Sequence, residues 1–460
     1  MSDLFGSLAL ASRALDAQRT GLDIVGQNIA NVNTAGYSRR VVDIATVAPA
    51  NSALSENGAD VVSIRALRDR LLDRRLLVEL PTAEREAAMA EALALVESSL
   101  GAGSGSVDKS LEAFFNAFAN LAEEPSSAIA RNEVQVQGQA LAGAFSGVAS
   151  RLEAARRDTD RQIGAVVDEI NSLAARIAVH NRTLSTVPAE SGLTVRDEQA
   201  MLVRRLSELV GVQVIEHESG AVDISIAGGR ALVVGEYVYA VDTAPAPGTG
   251  YLQITTGGVD VTAQITAGRL GGLLNVRDEK IPAYLSRLDT VAWETAQQVN
   301  ALHAAGFDLD GGAGGAFFTF PPSIVDADGA AAAMSLSAAI AGDPRLIAAA
   351  GINASGDNQI ARDIAGLRHA RVLEGGTSTL SDGWGELVYA VGSDTRFAKD
   401  ERNSRDEVVR QIDALRDEVS GVSLDEEAMH MLKFQRAYEA IARFFSTVNQ
   451  SLDTLLNLVR

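Results

Sequence analysis

The sequence predicts a mainly α protein with a small β-rich insertion: a long-helix bundle core, with terminal helices forming a coiled-coil stalk. Three observations predict it. Met431, Phe434, Tyr438, Ile441, Phe445, Val448, Leu452, Leu455 and Val459 step alternately by three and four residues, the a/d spacing of a coiled-coil seam held over about four heptads. Leu4, Leu8, Ala11, Leu15, Gln18, Leu22, Val25 and Ile29 repeat that spacing at the other end, with only Gln18 polar. Between 211 and 266, runs such as Val222, Ile224, Ile226 and Leu252, Ile254 alternate with polar residues, which is the period of a strand. A helix with one apolar stripe needs a partner, and here each terminus can supply the other's.

The elements follow in chain order. Ser2 and Asp3 suit an N-cap and first turn, and the first helix ends in Asn28-Ile-Ala-Asn31-Val-Asn33-Thr-Ala-Gly36-Tyr37-Ser38-Arg39-Arg40, a stop and turn. Tyr37 to Val47 reads as extended, Pro49 to Gly58 as loop and Ala59 to Arg65 as strand. Helix resumes near Leu67 and runs to Leu100, with Pro81 expected to kink or break it. After the Gly101–Gly105 loop come a helix from Val107 to Ala122, with Phe114, Phe115, Phe118 and Leu121 on one face, and a very long one from Ser126 to Leu184. At ~1.5 Å per residue the latter is a rod of roughly 90 Å. Its second half carries a seam of Ile163, Val166, Ile170, Leu173, Ile177, His180 and Leu184. Arg196 to Val210 is helical, the β-rich stretch follows, and helix returns from Asp278 to Ala305. Gly306 to Gly356 predicts turns and short strands. Helices at 360–373 and 381–420 lead to Gly421, and Ser423 with Glu426 forms a capping box for the last helix. The implied domains are a limb at 1–58, a helical bundle at 59–210 and 267–420 (irregular over 310–375), a β-rich outer domain at 211–266, and a second limb at 421–460.

Composition narrows the function. The chain has 60 acidic and 40 basic residues, a formal net charge of −20, which argues against nucleic acid and an anionic membrane surface as partners. It has no cysteine, so thiolate chemistry is excluded. No apolar run reaches the ~18 residues of a membrane span. Asp3, Arg13, Asp16 and Arg19 are incompatible with a cleaved export signal.

No catalytic constellation stands out. His180, His217, His303, His369 and His430 include no i, i+4 pair. Asp308-Leu-Asp310-Gly and Asp326-Ala-Asp328-Gly lack the later ligands of a calcium loop and read as Asx turns. Ser106-Val-Asp-Lys109 reads as a helix cap rather than a nucleophile motif. Asp425-Glu426-Glu427 reads as a match to the helix dipole. The expectation is a protein with no enzymatic activity, cofactor or metal.

Asn31-Val-Asn-Thr34-Ala-Gly36-Tyr37 resembles the Asn-x-x-Thr-x-Gly-Tyr signature of the bacterial flagellar rod, hook and hook-associated protein family. Ser420-Gly-Val-Ser-Leu-Asp-Glu-Glu427, Leu432-Lys-Phe-Gln-Arg-Ala-Tyr438 and Leu452-Asp-Thr-Leu-Leu-Asn457 resemble its C-terminal signature. Two inner stretches, Gly58 to Arg74 and Gly268 to Asp310-Gly, are also similar. Ala35 and Ser423 stand where typical members carry Pro and Asn, and the chain is short for the family. Among members, the pattern points to the hook–filament junction.

The resemblance implies a structural protein that leaves the cell through flagellar type III export without a cleaved signal peptide. Its implied partners are other copies in a ring, the hook protein, a second hook-associated protein on the filament side, and a cytoplasmic export chaperone at the C-terminal region. The expected assembly residues are Leu4, Leu8, Leu15, Leu22, Val25 and Ile29, with Phe434, Tyr438, Ile441, Phe445, Val448, Leu452, Leu455 and Val459. The motif residues are Asn31, Thr34, Gly36 and Tyr37. A hook or distal rod protein is the alternative within the family, and an adhesin-like surface module the alternative outside it.

Overall fold

The structure is a computed structural model that describes residues 2–46, 58–100, 106–188, 191–354 and 356–458. The Gly101–Gly105 loop, most of the 49–58 loop and Val459 lie outside the described residues.

α1 (Ser2–Ala30) leads into an antiparallel hairpin of β1 (Arg40–Thr46) and β2 (Ala59–Ala66), whose register shifts between Asp43 and Ile44. α2 (Arg70–Leu100), α3 (Val107–Glu123), α4 (Ala128–Thr186) and α5 (Leu193–Leu209) follow. Pro81 does not break α2; the helix runs through it. A proline inside a helix costs about 3 kcal/mol, and here packing offsets it: Leu76, Leu80 and Ala83 are buried in one cluster with Val409 and Ile412. α4 is continuous over 59 residues. Ile163, Val166, Ile170, Leu173, Ile177 and Leu184 are buried along it as their spacing predicts, but His180 is only half-buried and its neighbour Asn181 faces the core.

That exchange has a use. The Asn181 amide donates to Val222 O (2.7 Å) and accepts from Val222 N (2.8 Å), as an adjacent strand would. Asn171 makes the same pair of bonds to Val241, at 2.8 and 2.9 Å. Two asparagines on α4 therefore pin two small sheets to the rod. The first is β3 (Val212–Glu216), β4 (Val222–Ile226), β5 (Arg230–Val234) and β6 (Tyr237–Val238). The second is β7 (Val241–Pro245), β8 (Leu252–Thr256) and β9 (Val259–Asp260).

α6 (Gly268–Asn275) passes through a π-helical turn, Val276–Lys280, into α7 (Ile281–Ala304). Short helices α8 (Ala330–Ala333), α9 (Ala338–Gly342) and α10 (Gln359–Gly366) precede α11 (Leu380–Ser420) and α12 (Leu424–Leu458). α11 packs on α2 and α7, and α4 packs on the same two helices. Helix makes up 65% of the structure, as the mainly α reading with a small β insertion expects.

The region from 306 to 356 contributes more to the core than its lack of period suggests. Phe317 and Phe318 are fully buried among Phe114, Phe118 and Phe145, with ring centroids 5.5 Å apart for Phe114 and Phe317. Asn300 Oδ1 accepts from the N–H groups of both inserted phenylalanines, at 2.8 and 2.9 Å. The aspartate loops are Asx turns: Asp308 Oδ1 accepts from Asp310 N at 2.9 Å, and Asp326 Oδ1 from Asp328 N at 3.1 Å.

His303 is a buried core residue. Its Nδ1 lies 2.7 Å from Gly315 O and its Nε2 accepts from Ala348 N at 2.8 Å. This pattern fits the neutral ring, and burial holds its pKa below the ordinary 6.5. Below 6.5 the unfolded chain takes up a proton that the folded chain resists. The stability carried by neutral His303 is therefore full above that pH and is lost as pH falls below it. Urea midpoints of wild type and His303→Gln should accordingly be well separated at pH 7.5 and closer at pH 5. An equal gap at both would show that His303 titrates freely in the fold.

Candidate functional site

α1 and α12 pack against each other within one chain, so the stalk forms without a second copy. On α1 the buried face is Ala11, Ala17, Gly21, Ile24, Val25 and Asn28. Of the leucine-based seam expected from sequence, Val25 is buried, while Leu8, Leu15, Leu22 and Ile29 are half-buried at its margins. The side chains of Leu4 and Leu455 lie outside the described residues. On α12, Val448 is buried and Phe434, Ile441, Phe445 and Leu452 are half-buried, but Tyr438 is turned away at 39% exposed.

The rotation of α1 follows from volume. A Cβ on Gly21 would sit 2.6 Å from Phe434 Cε1, so the glycine is the hole that receives the ring. Glycine inside a helix costs about 1 kcal/mol relative to alanine, and the close approach of the two helices offsets it.

Below this seam the chain ties a polar knot. Asn28 is 1% exposed and Glu427 likewise 1%. Asn28 Nδ2 donates to Glu427 Oε2 at 3.0 Å and to Arg40 O at 2.9 Å. Its Oδ1 accepts from Tyr37 Oη at 2.8 Å and from Arg40 N at 3.0 Å. Both N–H donors and both oxygen lone pairs of the amide are thus engaged. Arg39 spans two of the three carboxylates in the first turn of α12: Nε to Glu427 Oε1 and Nη1 to Glu426 Oε2, each 2.7 Å. Glu426 is therefore turned to Arg39, while Ser423 Oγ still lies 3.5 Å from Glu426 N as a cap.

The knot reaches the body through arginines. Arg40 Nη2 donates to Thr194 Oγ1 at 2.9 Å, on α5. Arg68 Nη2 meets Asp197 Oδ1 at 2.5 Å, and Arg68 Nε donates to Ser38 Oγ at 3.1 Å. The Arg40 guanidinium lies over the Tyr37 ring, 5.0 Å from its centroid, and burial pushes the Tyr37 hydroxyl pKa up. Backbone bonds reinforce the junction: Arg39 N to Ser420 O at 3.0 Å and Leu67 N to Arg39 O at 2.8 Å.

The signature residues each have a physical task here. Asn31 Nδ2 caps the end of α1 by donating to Gln27 O at 2.9 Å, and Thr34 Oγ1 donates back to Asn31 Oδ1 at 3.1 Å. Gly36 holds a left-handed φ of +78°, and a side chain there would overlap Met201 Sδ. Tyr37 reaches Asn28. A Gly36→Ala variant should lose about 1–3 kcal/mol, the cost of a left-handed non-glycine residue, read as a lower urea midpoint; an unchanged midpoint would mean that the turn relaxes freely.

Asn28, Glu427, Arg39, Arg68 and Asp197 were not singled out from sequence. Asn28 was read as part of a stop signal and Glu427 as a dipole match. Glu427 lies in the seam register of α12, four residues before Met431, whereas Asn28 lies one position off the seam of α1 and carries no such signal.

Comparisons with known proteins agree with this layout. The model for the flagellar hook-associated protein FlgK helical domain matches residues 93–318, that for the flagellar basal body rod FlgEFG protein C-terminal region matches 407–458, and that for the flagella basal body rod protein matches 8–37. Flagellar hook-associated protein 1 of Bacillus subtilis (strain 168) is 27% identical over 99% of this chain and 99% of its own length. That of Escherichia coli (strain K12) is 24% identical over 97% of this chain and 98% of its own length. The solved structure of the flagellar hook junction protein FlgK from Burkholderia pseudomallei superposes with a TM-score of 0.68 at 17% identity, covering 75% of this chain and all of that one. Matched at both ends and through its helical middle, and aligned over nearly all of its length, the chain is a relative of flagellar hook-associated protein 1 in the flagellar rod, hook and hook-associated protein family.

Proposed function

We propose that this protein is a structural component of the bacterial flagellum at the hook–filament junction, and that copies assemble through the outer face of the terminal helix pair. The observation that carries the assembly surface is what pairing leaves uncovered. With α1 seated on the seam of α12, Met429 and Leu432 remain exposed on the far side of α12, Phe444 remains exposed on its flank, and Phe5 remains exposed on α1. Large apolar side chains gathered on one helix face mark an interaction surface. The seam residues hold the pair together, and the outer residues and Tyr438 meet the neighbouring copies.

The partners on this reading are further copies in a ring, the hook protein on one side and a second hook-associated protein on the other. Export proceeds by the flagellar type III route with a cytoplasmic chaperone at the C-terminal region. No described helix is long and apolar enough to cross a membrane. The role is structural rather than enzymatic, in keeping with relatives that are flagellar structural proteins.

Immunogold labelling tests the reading. Antibody to this chain should decorate a narrow band at the distal end of the hook, and a deletion strain should shed filament subunits into the medium. Label along the filament, or filaments retained without the protein, would refute it.

A further inference from the structure

Two bare faces of the bundle complement each other. On α11, Tyr389 is 76% exposed and Phe397 67%. They stand two turns apart with Ser393 between them, and Asp382, Glu386 and Asp400 lie on the same exposed face, flanked by Arg396. On α4, the outward face reads Gly143, Gly147, Ser150, Ala154, Arg157 and Arg161 at steps of four and three. It is a run of small residues, with Arg151 Nη1 beside Gly147, followed by two arginines of which Arg161 pairs with Asp158 in its own chain, and open space surrounds the missing side chain of Gly143. One face offers bulk and negative charge; the other offers room and positive charge.

Their placement suits contact between copies. Because α4 and α11 both pack on α2 and α7, they occupy opposite corners of the bundle and their outer faces look away from each other. They are also level. Asp394 on α11 accepts from Tyr284 Oη at 2.6 Å and pairs with Lys280 Nζ at 2.9 Å. On α4, Asp160 Oδ1 lies 2.6 Å from Arg277 Nη1, and Arg156 Nε donates to Arg277 O at 3.0 Å. Residues 277–284 thus mark one height for Tyr389–Phe397 on one corner and for 150–161 on the other.

We propose that the Tyr389–Phe397 ridge of one copy seats on the small-residue face of α4 of the next copy, with Arg157 and Arg161 meeting the Phe397 ring and the carboxylate of Asp400. The occupant is a second copy because each chain carries both halves, on opposite sides and at one height. At a net charge of −20, most pairs of faces from two copies repel, whereas this pair attracts. The contact joins two different surfaces, so it repeats from copy to copy and builds a ring or shallow helix. It rests on the reading of this protein as a homo-oligomer at the junction.

The chain has no cysteine, which makes cross-linking decisive. Ser150→Cys and Ser393→Cys are both at exposed positions, and within one chain the bundle separates them. A disulfide needs Cα atoms within about 7 Å, so any bond between them joins two copies. Hook–filament junctions isolated from cells expressing the doubly substituted chain, then mildly oxidised, should give a ladder of dimers, trimers and higher bands; each single variant should give none beyond dimers. A junction that contains the protein but yields no ladder overturns this contact and leaves the homo-oligomer reading intact. Absence of the protein from junctions that still hold filaments removes that reading and this contact with it. As a second measurement, Tyr389→Ala with Phe397→Ala should cut filament retention at least tenfold while the melting curve of the purified chain stays unchanged; retention within twofold of wild type overturns the proposal.

Discussion

Replacing Glu427 by alanine should unlatch the terminal helices, raising amide exchange through α1 and α12 by two to three orders of magnitude while the bundle stays protected. Glu427 is the anion that Arg39 and Asn28 share at 2.7 and 3.0 Å. Its removal leaves the Asn28 amide facing a buried space and the Arg39 guanidinium held only by the exposed Glu426. Truncating one member of a buried ion pair costs about 3–5 kcal/mol, and each ~1.4 kcal/mol is tenfold in an opening constant. Two further variants separate charge from contact. Glu427→Gln keeps an acceptor for Asn28 but loses the charge, so it should fall between wild type and alanine. Replacing Arg39 and Glu427 together by methionine removes both the charge and its partner, and should recover part of the loss. Exchange at wild-type rates in Glu427→Ala would mean that the apolar seam alone fixes the pair.

Charging the outer face should do the opposite: abolish assembly and leave the isolated chain untouched. Leu432→Asp with Phe444→Asp alters side chains that are exposed in the single copy, so the melting free energy should stay within about 0.5 kcal/mol of wild type, as for surface changes. In the proposed ring each copy would bury these positions. Burying a leucine or phenylalanine is worth roughly 1.5–3 kcal/mol, and an unpaired carboxylate in its place reverses the sign. Every subunit repeats that loss, so cells should export filament subunits without retaining filaments. Phe445→Asp and Leu452→Asp, on the seam, should instead weaken the pair in the single copy as well. Motile cells with normal filaments carrying the outer double substitution would remove the outer face of α12 from the assembly surface.

The long helices were legible because their stripes are long. α4 and α11 end within two or three residues of where period and turn residues place them, and β3, β4, β8 and β9 fall where the alternation does, whereas β5, β6 and β7 lie outside it. The face that α1 turns to its partner was not legible. Hydropathy weights leucines, whereas the approach of two helices is set by the volume between them, and Ala11, Ala17 and Gly21 carry little hydropathy. Pro81 misled because a local rule was overridden by packing against α11. Phe317 and Phe318 enter the core from an irregular segment held by Asn300, a bond that no period encodes. The polar knot was invisible for a related reason. Asn28 and Glu427 each have an ordinary local reading, as helix stop and as first-turn acid, and only their meeting gives either a role.

That meeting joins positions 399 residues apart. Closing so long a loop is slow, because its entropic cost falls due before the contact rewards it. α1 emerges first from any directional synthesis or transport and must wait, seam uncovered, until α12 arrives. The latch therefore also reports completion. A chain interrupted anywhere before Glu427 has an Asn28 and an Arg39 without Glu427 to hold, a hole at Gly21 with no Phe434 ring to fill it, and no outer face of α12 to present. On the proposed mode of assembly, an incomplete subunit should therefore fail to enter the structure with no separate inspection step.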